Sequence, residues 1–387
     1  MTESQENNPE TPDATTPATT ASQPWLNAQG SRYFLDWLAE QQASLAFTTY
    51  QTGKLFFVGR KRDNAISVFE RTYNHCMGMW ASADGKTIWL SSRFQIWRFM
   101  QAPTQIVPYQ APDPNNEDSA LPAWTERGYD VAYLPRVGYT TGHLDVHDMA
   151  VDADGRLIFV NTMFGCLATL SEHASFQPLW RPPFLSALVP EDRCHLNGLA
   201  MRDGRAAFVT VVADSDVVDG WRDRRRDGGC VIDIESNEIV ARDLSMPHSP
   251  RWYRDQLWLH NSGTGEFGRI DLDTGQFQPV AFCPGYLRGL AFVGNFAVVT
   301  LSKPRHTSFH GLELDERLEQ RKAELQCGLQ IIDLNTGAIA HWLRLDGTLV
   351  TELYDAVILS GVRQPMAIGF QTNEIERLML VDEPGAL

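Results

Sequence analysis

A chain of 387 residues with 43% hydrophobic side chains has room for one large repeat domain or two ordinary ones, and enough apolar mass for a full core. Its net charge of −15 gives a surface that repels nucleic acid and anionic lipid at long range, which sets both aside as main partners. No run approaches the roughly 20 apolar residues that cross a membrane; the best, 290–301, is broken by Gly294 and Asn295.

Residues 1–24 are rich in Thr, Pro, Glu, Asn and Ala, a composition that predicts a disordered tail. Its start lacks the basic and apolar regions of a secretory signal. Six cysteines are scattered without a CxxC pair, which predicts reduced, mostly buried thiols in a cytoplasmic protein. Over 25–44 and just beyond, Phe34, Trp37, Leu38 and Leu45 recur at helical spacing, predicting an amphipathic helix packed outside the main body. Strand patterns follow at 45–50, 55–59 and 66–70, with a turn at Thr52-Gly53.

From residue 78 a unit recurs. Segments 78–90, 148–160, 198–209 and 250–259 each read as strand, tight turn and strand, with turns at Asp84-Gly85, Asp154-Gly155, Asp203-Gly204 and Arg254-Asp255. Units begin near 78, 148, 198, 250, 289 and 366. Only the unit from 250 to 289 has about the length of a bare four-stranded blade. Three longer units carry insertions, at 101–128, at 214–229 and at 302–326, the last with a helical stretch from Leu312. The prediction is an all-β, six-bladed propeller over 45–387, a single domain closed by both termini. Strands before Arg71 would complete a blade begun by 366–370 and 378–381. Seven blades stay open, since 45–71 could form a unit of its own.

Aligned on the shared strand core, the residues one before each marker are Met77, His147, Asn197, Ser249, Arg288 and Pro365. Three before stand His75, Asp145, His195, Pro247, Tyr286 and Arg363. Side chains alternate along a strand, so both sets face the same way, toward one mouth of the central channel. His248 falls at the alternate position and joins them only where Pro247 or Pro250 bends the chain. Gln364 takes the place in the last unit if its phase shifts by one.

Neutral imidazole ligates Zn, Fe, Mn or Cu, so His75, His147, His195 and His248 are candidate ligands of a divalent transition metal. Asp145, Asp148, Glu352 and Asp355 are candidate acid–base carboxylates. Arg251, Arg288 and Arg363 offer two-pronged donors to a carboxylate or phosphate. Asn197, Gln364 and Trp221 complete the candidate substrate-binding set. The same histidines also fit a metal-free polar pocket, or hydrogen bonds that tie neighbouring blades. No HExxH or CxxC spacing decides among these roles. The loop 214–229, where Arg222, Arg224, Arg225 and Arg226 lie among five aspartates, reads either as a solvated mixed-charge loop or as one that grips an anion.

Five segments carry a resemblance: Cys194-His-Leu-Asn-Gly-Leu-Ala200, Ser245-Met-Pro-His-Ser-Pro-Arg-Trp252, Leu257-Trp-Leu-His-Asn-Ser-Gly-Thr-Gly265, Pro284-Gly-Tyr-Leu-Arg-Gly-Leu290 and Tyr354-Asp-Ala-Val-Ile-Leu-Ser-Gly-Val-Arg-Gln-Pro365. Through them, residues 40–385 resemble a bacterial family of conserved hypothetical proteins, a domain of unknown function. That resemblance implies a propeller and singles out these segments; it brings no activity. At the level of fold the chain is similar to six-bladed propellers of the gluconolactonase, strictosidine synthase and NHL-repeat kind. Several of those enzymes place a divalent metal in the channel, through a Glu/Asn/Asp pattern not evident here.

Fold does not fix function. The first expectation is an enzyme of hydrolase, lactonase or lyase type, acting on a small polar or anionic molecule at the histidine-rich mouth. The alternatives are a non-catalytic scaffold that presents its long loops to a protein partner, and a sensor that binds a metabolite without turnover.

Overall fold

The computed structural model describes residues 25–102, 107–108, 124–303, 311–372 and 374–379. The tail expected at 1–24 and most of the insertion at 101–128 lie outside them. Among the described residues no helix is long and apolar enough to cross a membrane, and the six cysteines are buried and free.

Six antiparallel blades follow one another round an axis; in blades I to V the first strand is innermost. Blade I holds Met79–Ala81, Thr87–Ser91, Gln95–Gln101 and Val131–Thr140. Blade II holds Val146–Val151, Leu157–Asn161, Cys166–Thr169 and Gln177–Trp180. Leu196–Arg202, Arg205–Val211, Gly229–Asp233 and Ile239–Leu244 make blade III. Blade IV contains Pro247–Tyr253, Gln256–Asn261, Glu266–Asp271 and Gln276–Phe282. Blade V contains Tyr286–Val293, Phe296–Ser302, Gly328–Asp333 and Ile339–Asp346. The repeated Asp-Gly turns take left-handed backbone at their glycines; at Gly204 (φ 71°) a Cβ would also meet that of Ala153 at 2.7 Å.

Blade VI closes the ring and rules out a seventh. Its outer strands are the N-terminal Ala43–Thr49, Lys54–Arg60 and Ile66–Thr72, and its innermost strand is Ala356–Ser360. This corrects the expected closure through 366–370. After Ser360 the chain turns at Gly361 (φ 73°), and Pro365–Ala367 pairs in parallel with the outer edge of blade I. Met366, Ala367 and Ile368 fill the apolar space between blades VI and I. Their alternation therefore marks an edge strand rather than a new blade.

The helix is also shorter than the expected 25–44. It covers Phe34–Glu40 and buries Phe34, Trp37 and Leu38 against blades V and VI. Before it, Asn27–Gly30 adds a fifth strand to blade V, while Leu45 belongs to a strand of blade VI.

The channel narrows at the six markers. With the last blade correctly phased they read Gly78, Asp148, Gly198, Pro250, Gly289 and Asp355, small and large in alternation. A Cβ on Gly198 would lie 2.2 Å from Pro250 Cδ, and one on Gly289 would lie 2.6 Å from the Ala356 nitrogen. The two aspartates bridge strands. Asp148 accepts hydrogen bonds from the N–H groups of Met149 (2.8 Å) and Leu199 (2.9 Å), on blades II and III. Asp355 accepts from Ala356 and Met79 (both 2.8 Å), on blades VI and I. Across the waist, Arg251 donates to both Asp148 oxygens at 2.6 and 3.1 Å and stands 3.7 Å from Asp355.

Neighbouring blades are further tied by hydroxyl groups on, or directly after, the strand next to the innermost one. Ser91, Thr162, Ser262, Ser302 and Thr48 donate to the carbonyls of Val146, Leu196, Leu287, Leu353 and Met77 respectively, each at or just before the start of the next blade's inner strand.

Two carboxylates buried round one guanidinium make the waist sensitive to charge. Replacing Arg251 with Met is expected to cost about 3–5 kcal/mol in urea unfolding, because it strands the buried Asp148 carboxylate without its counter-ion. Burial, with the Asp148 charge second, pushes the Asp355 carboxyl up from 3.8 to about 7. The stability contributed by its proton is full below the unfolded value and is lost as pH rises through the folded one. Asp355→Asn is therefore expected to flatten the fall in stability between about pH 4 and 7, read from urea midpoints across that range.

Candidate functional site

The starts of the inner strands surround a cavity of about 300 Å³ on one side of the waist. Its wall carries His75, Asp145, His147, His195, His248, Arg288 and Trp221 from the set singled out by sequence. His75, Asp145 and His195 occupy equivalent places in blades I to III and share left-handed backbone, at φ 56°, 55° and 50°. Such backbone costs about 1–3 kcal/mol in a non-glycine residue and is typical of functional positions. Met246 and Ser249 (φ 50° and 47°) bend blade IV at its start, and His248 reaches the same cavity.

The remaining candidates lie elsewhere. Asp148, Asp355 and Arg251 form the waist, and Arg251 faces an apolar cavity of about 410 Å³ at the opposite mouth. Glu352 is buried and accepts a hydrogen bond from Tyr50. Asn197 is buried and does not line the cavity. Arg363 and Gln364 sit beyond the inner strand of blade VI. The backbone N–H of each donates to Asp130, at 3.0 and 2.7 Å, because the final unit starts at Asp355 and not at 366.

Sequence reasoning missed Tyr50, His143, Asp192 and Tyr354. The signal for Tyr354 was phase: with Asp355 as marker it stands in register with His147 and Arg288. Asp192 lies three residues before His195 and was detectable only as a short Asp-x-x-His spacing. His143 and Tyr50 lie outside the repeat positions and gave no periodic signal.

Hydrogen bonds fix the ring nitrogens. His147 Nδ1–H donates to the Asp145 carbonyl at 2.8 Å, and His248 Nδ1–H is held by the Met246 carbonyl (2.8 Å) and Ser262 Oγ (2.9 Å). Burial pushes His147 down to about 4 and His248 well below the ordinary histidine value. Both are neutral, with Nε2 unprotonated. Asp192 accepts from His195 Nδ1 at 2.9 Å and from Trp221 Nε1 at 2.9 Å, while the Trp221 ring lies 4.2 Å from that of His195. His260, also buried, is a contrast. Its Nε2–H ties Gly289 of blade V at 3.1 Å, a structural bond.

The cavity holds more cationic than anionic side chains. Arg222, Arg225 and Arg288 line it against the single carboxylate of Asp145. The Arg288 guanidinium lies 4.9 to 5.3 Å from the ring centres of Tyr354, Tyr286 and Tyr50, which provide π faces to the charge. The Asp/Arg loop divides its arginines between the surface and the cavity. Arg224 pairs with Asp214 and Arg226 with Glu316 on the surface, while Arg222 and Arg225 turn to the mouth.

Among the described residues, one group of three ligating side chains is close enough to hold a metal. The ligand atoms of His75, His143 and Asp145 lie within 4.8 Å of one another, with His75 Nε2 4.0 Å from Asp145 Oδ1. Metal–ligand bonds of about 2 Å span ligand atoms up to about 4 Å apart, so the set as it stands is slightly wider than a bound ion requires. It shares only His75 with the four histidines named as candidate ligands.

Fold and site together define a six-bladed β-propeller with a histidine- and arginine-lined mouth. The chain belongs to the family described as a domain of unknown function (DUF4915), which matches residues 32–368. No curated protein matches it. Among solved structures it is similar to a chain of a nidogen/laminin complex, at 13% identity over 82% of this chain and 99% of that one, TM-score 0.49. It is similar to virginiamycin B lyase from Staphylococcus aureus, at 13% identity over 71% and 96%, TM-score 0.37. A protein of unknown function from Bacteroides caccae matches at 10% identity over 82% and 98%, TM-score 0.38.

The ring-nitrogen assignment has a direct readout. Two-dimensional proton–nitrogen spectra at about pH 6 are expected to show His147 and His248 as neutral Nδ1–H tautomers. A protonated ring at either position would overturn the hydrogen-bond scheme.

Proposed function

We propose that the mouth is the active site of an enzyme acting on a small anionic molecule, with hydrolase, lactonase or lyase chemistry, and that His75, His143 and Asp145 hold a divalent transition metal beside it. The observation that carries this reading is the cluster of three ligating side chains, two of which, His75 and Asp145, line a cavity that also carries three arginines. A divalent ion at this place supplies Lewis acidity or a water more acidic than bulk. Around it, the arginines attract and orient an anion.

The insertion helix Glu313–Arg321 favours a small ligand over the scaffold reading. Leu314 and Leu318 turn inward and pack with Trp221, Met246 and Tyr286. The helix thus buries its apolar face behind the mouth rather than presenting it to solvent.

Elemental analysis after equilibration with Zn or Mn and gel filtration tests the reading. One equivalent is expected in the native protein. His143→Ala, a change at an exposed position, is expected to weaken affinity at least about tenfold, the loss typical of even an indirect change at a metal site. Absence of metal from the native protein, or equal content in the variant, removes the metal from the proposal.

A further inference from the structure

Three features of the mouth are not accounted for by a metal. Asp192 grips His195 through Nδ1, with oxygens at 2.9 and 3.1 Å, and is itself held by Trp221. A carboxylate only accepts, so Nδ1 carries a proton, and in the neutral tautomer this leaves the lone pair on Nε2. Tyr354 is buried in the wall of the cavity, and its hydroxyl has no hydrogen-bond partner among the described residues. Leaving such a donor unmade costs about 1–3 kcal/mol, unless a bound oxygen satisfies it. His147 stands edge-on to both, its ring 4.8 Å from His195 and 5.5 Å from Tyr354. The base and the donor thus stand in the wall of one cavity, with the His147 ring between them.

We infer that His195 is a general base that activates water, that Asp192 positions it, and that Tyr354 donates to the carbonyl oxygen of an ester or lactone whose anionic group lies against Arg288. This rests on the reading of the mouth as an active site for a small anion. Among the described residues that line the cavity there is no Ser, Thr, Cys or Lys, so the ordinary covalent nucleophiles for acyl transfer are missing and water is the attacking group.

The chemistry balances without an added reagent. His195 Nε2 takes a proton from water as the water oxygen bonds to the carbonyl carbon, and the C=O electron pair moves onto oxygen, where the Tyr354 hydroxyl donates. The pair then returns, the bond to the leaving oxygen breaks, and that oxygen takes the proton from His195. An ester gives an acid and an alcohol; a lactone gives one hydroxy acid.

Steady-state hydrolysis of 4-nitrophenyl acetate and mono(4-nitrophenyl) succinate by the full-length protein tests this. The charged succinate ester is expected to be used at least about tenfold more efficiently, through Arg288. His195→Gln is expected to lower kcat by about a hundredfold or more, and Tyr354→Phe by about a hundredfold. Asp192→Asn should lower kcat about tenfold or more at nearly constant KM, a split that loss of fold does not produce. Tyr354→Phe removes one oxygen and keeps the ring, so it stays informative if a change at His195 impairs folding. No turnover of either ester by the native protein, or full activity in His195→Gln, overturns the inference. His75→Ala separates the two proposals. Activity lost there but kept in His195→Gln leaves the metal site standing without the base. The reverse pattern supports the base and removes the metal from catalysis.

Discussion

One guanidinium holds the centre of this molecule. Arg251 reaches from blade IV to Asp148 on blade II and faces Asp355 on blade VI, and each aspartate caps the backbone of its own and the next blade. Charge of this kind, taken out of water, is costly unless every partner is present. The waist meets that condition through backbone N–H groups as well as through Arg251. It fixes the mutual rotation of the blades in a way that apolar contact, which has no direction, does not.

What the mouth presents follows from that rotation. Each marker sets the phase of its strand, so a residue one or three places earlier reaches the cavity from blades I, II, III, V and VI, while blade IV brings His248 from two places earlier. Three consecutive blades spend this geometry on His75, Asp145 and His195, all in left-handed backbone. Blades V and VI bring Arg288 and Tyr354. The insertions then finish the enclosure: the loop after blade III's second strand delivers Trp221 and two arginines, and the helix of blade V packs behind it.

The propeller was legible because its hairpins repeat and because period-two alternation survives the insertions. The rim histidines were legible for the same reason. Phase failed in the last blade, where 365–368 alternates like an inner strand although it only edges blade I. That error moved attention to Arg363 and Gln364 and away from Tyr354. The roles of Asp148, Asp355 and Arg251 were misread because a sequence gives residue type without depth; carboxylates that look catalytic serve the waist instead. Contacts made by loops, such as Asp192 with His195 or His143 with His75, have no period and needed coordinates.

The waist also divides the two ends of the channel by character: a cavity lined by histidines and arginines lies on one side, and one lined mainly by apolar side chains, with Arg251 in its wall, lies on the other. The two mouths of one fold therefore offer unlike surfaces, and a small anion would find its complement at one of them only.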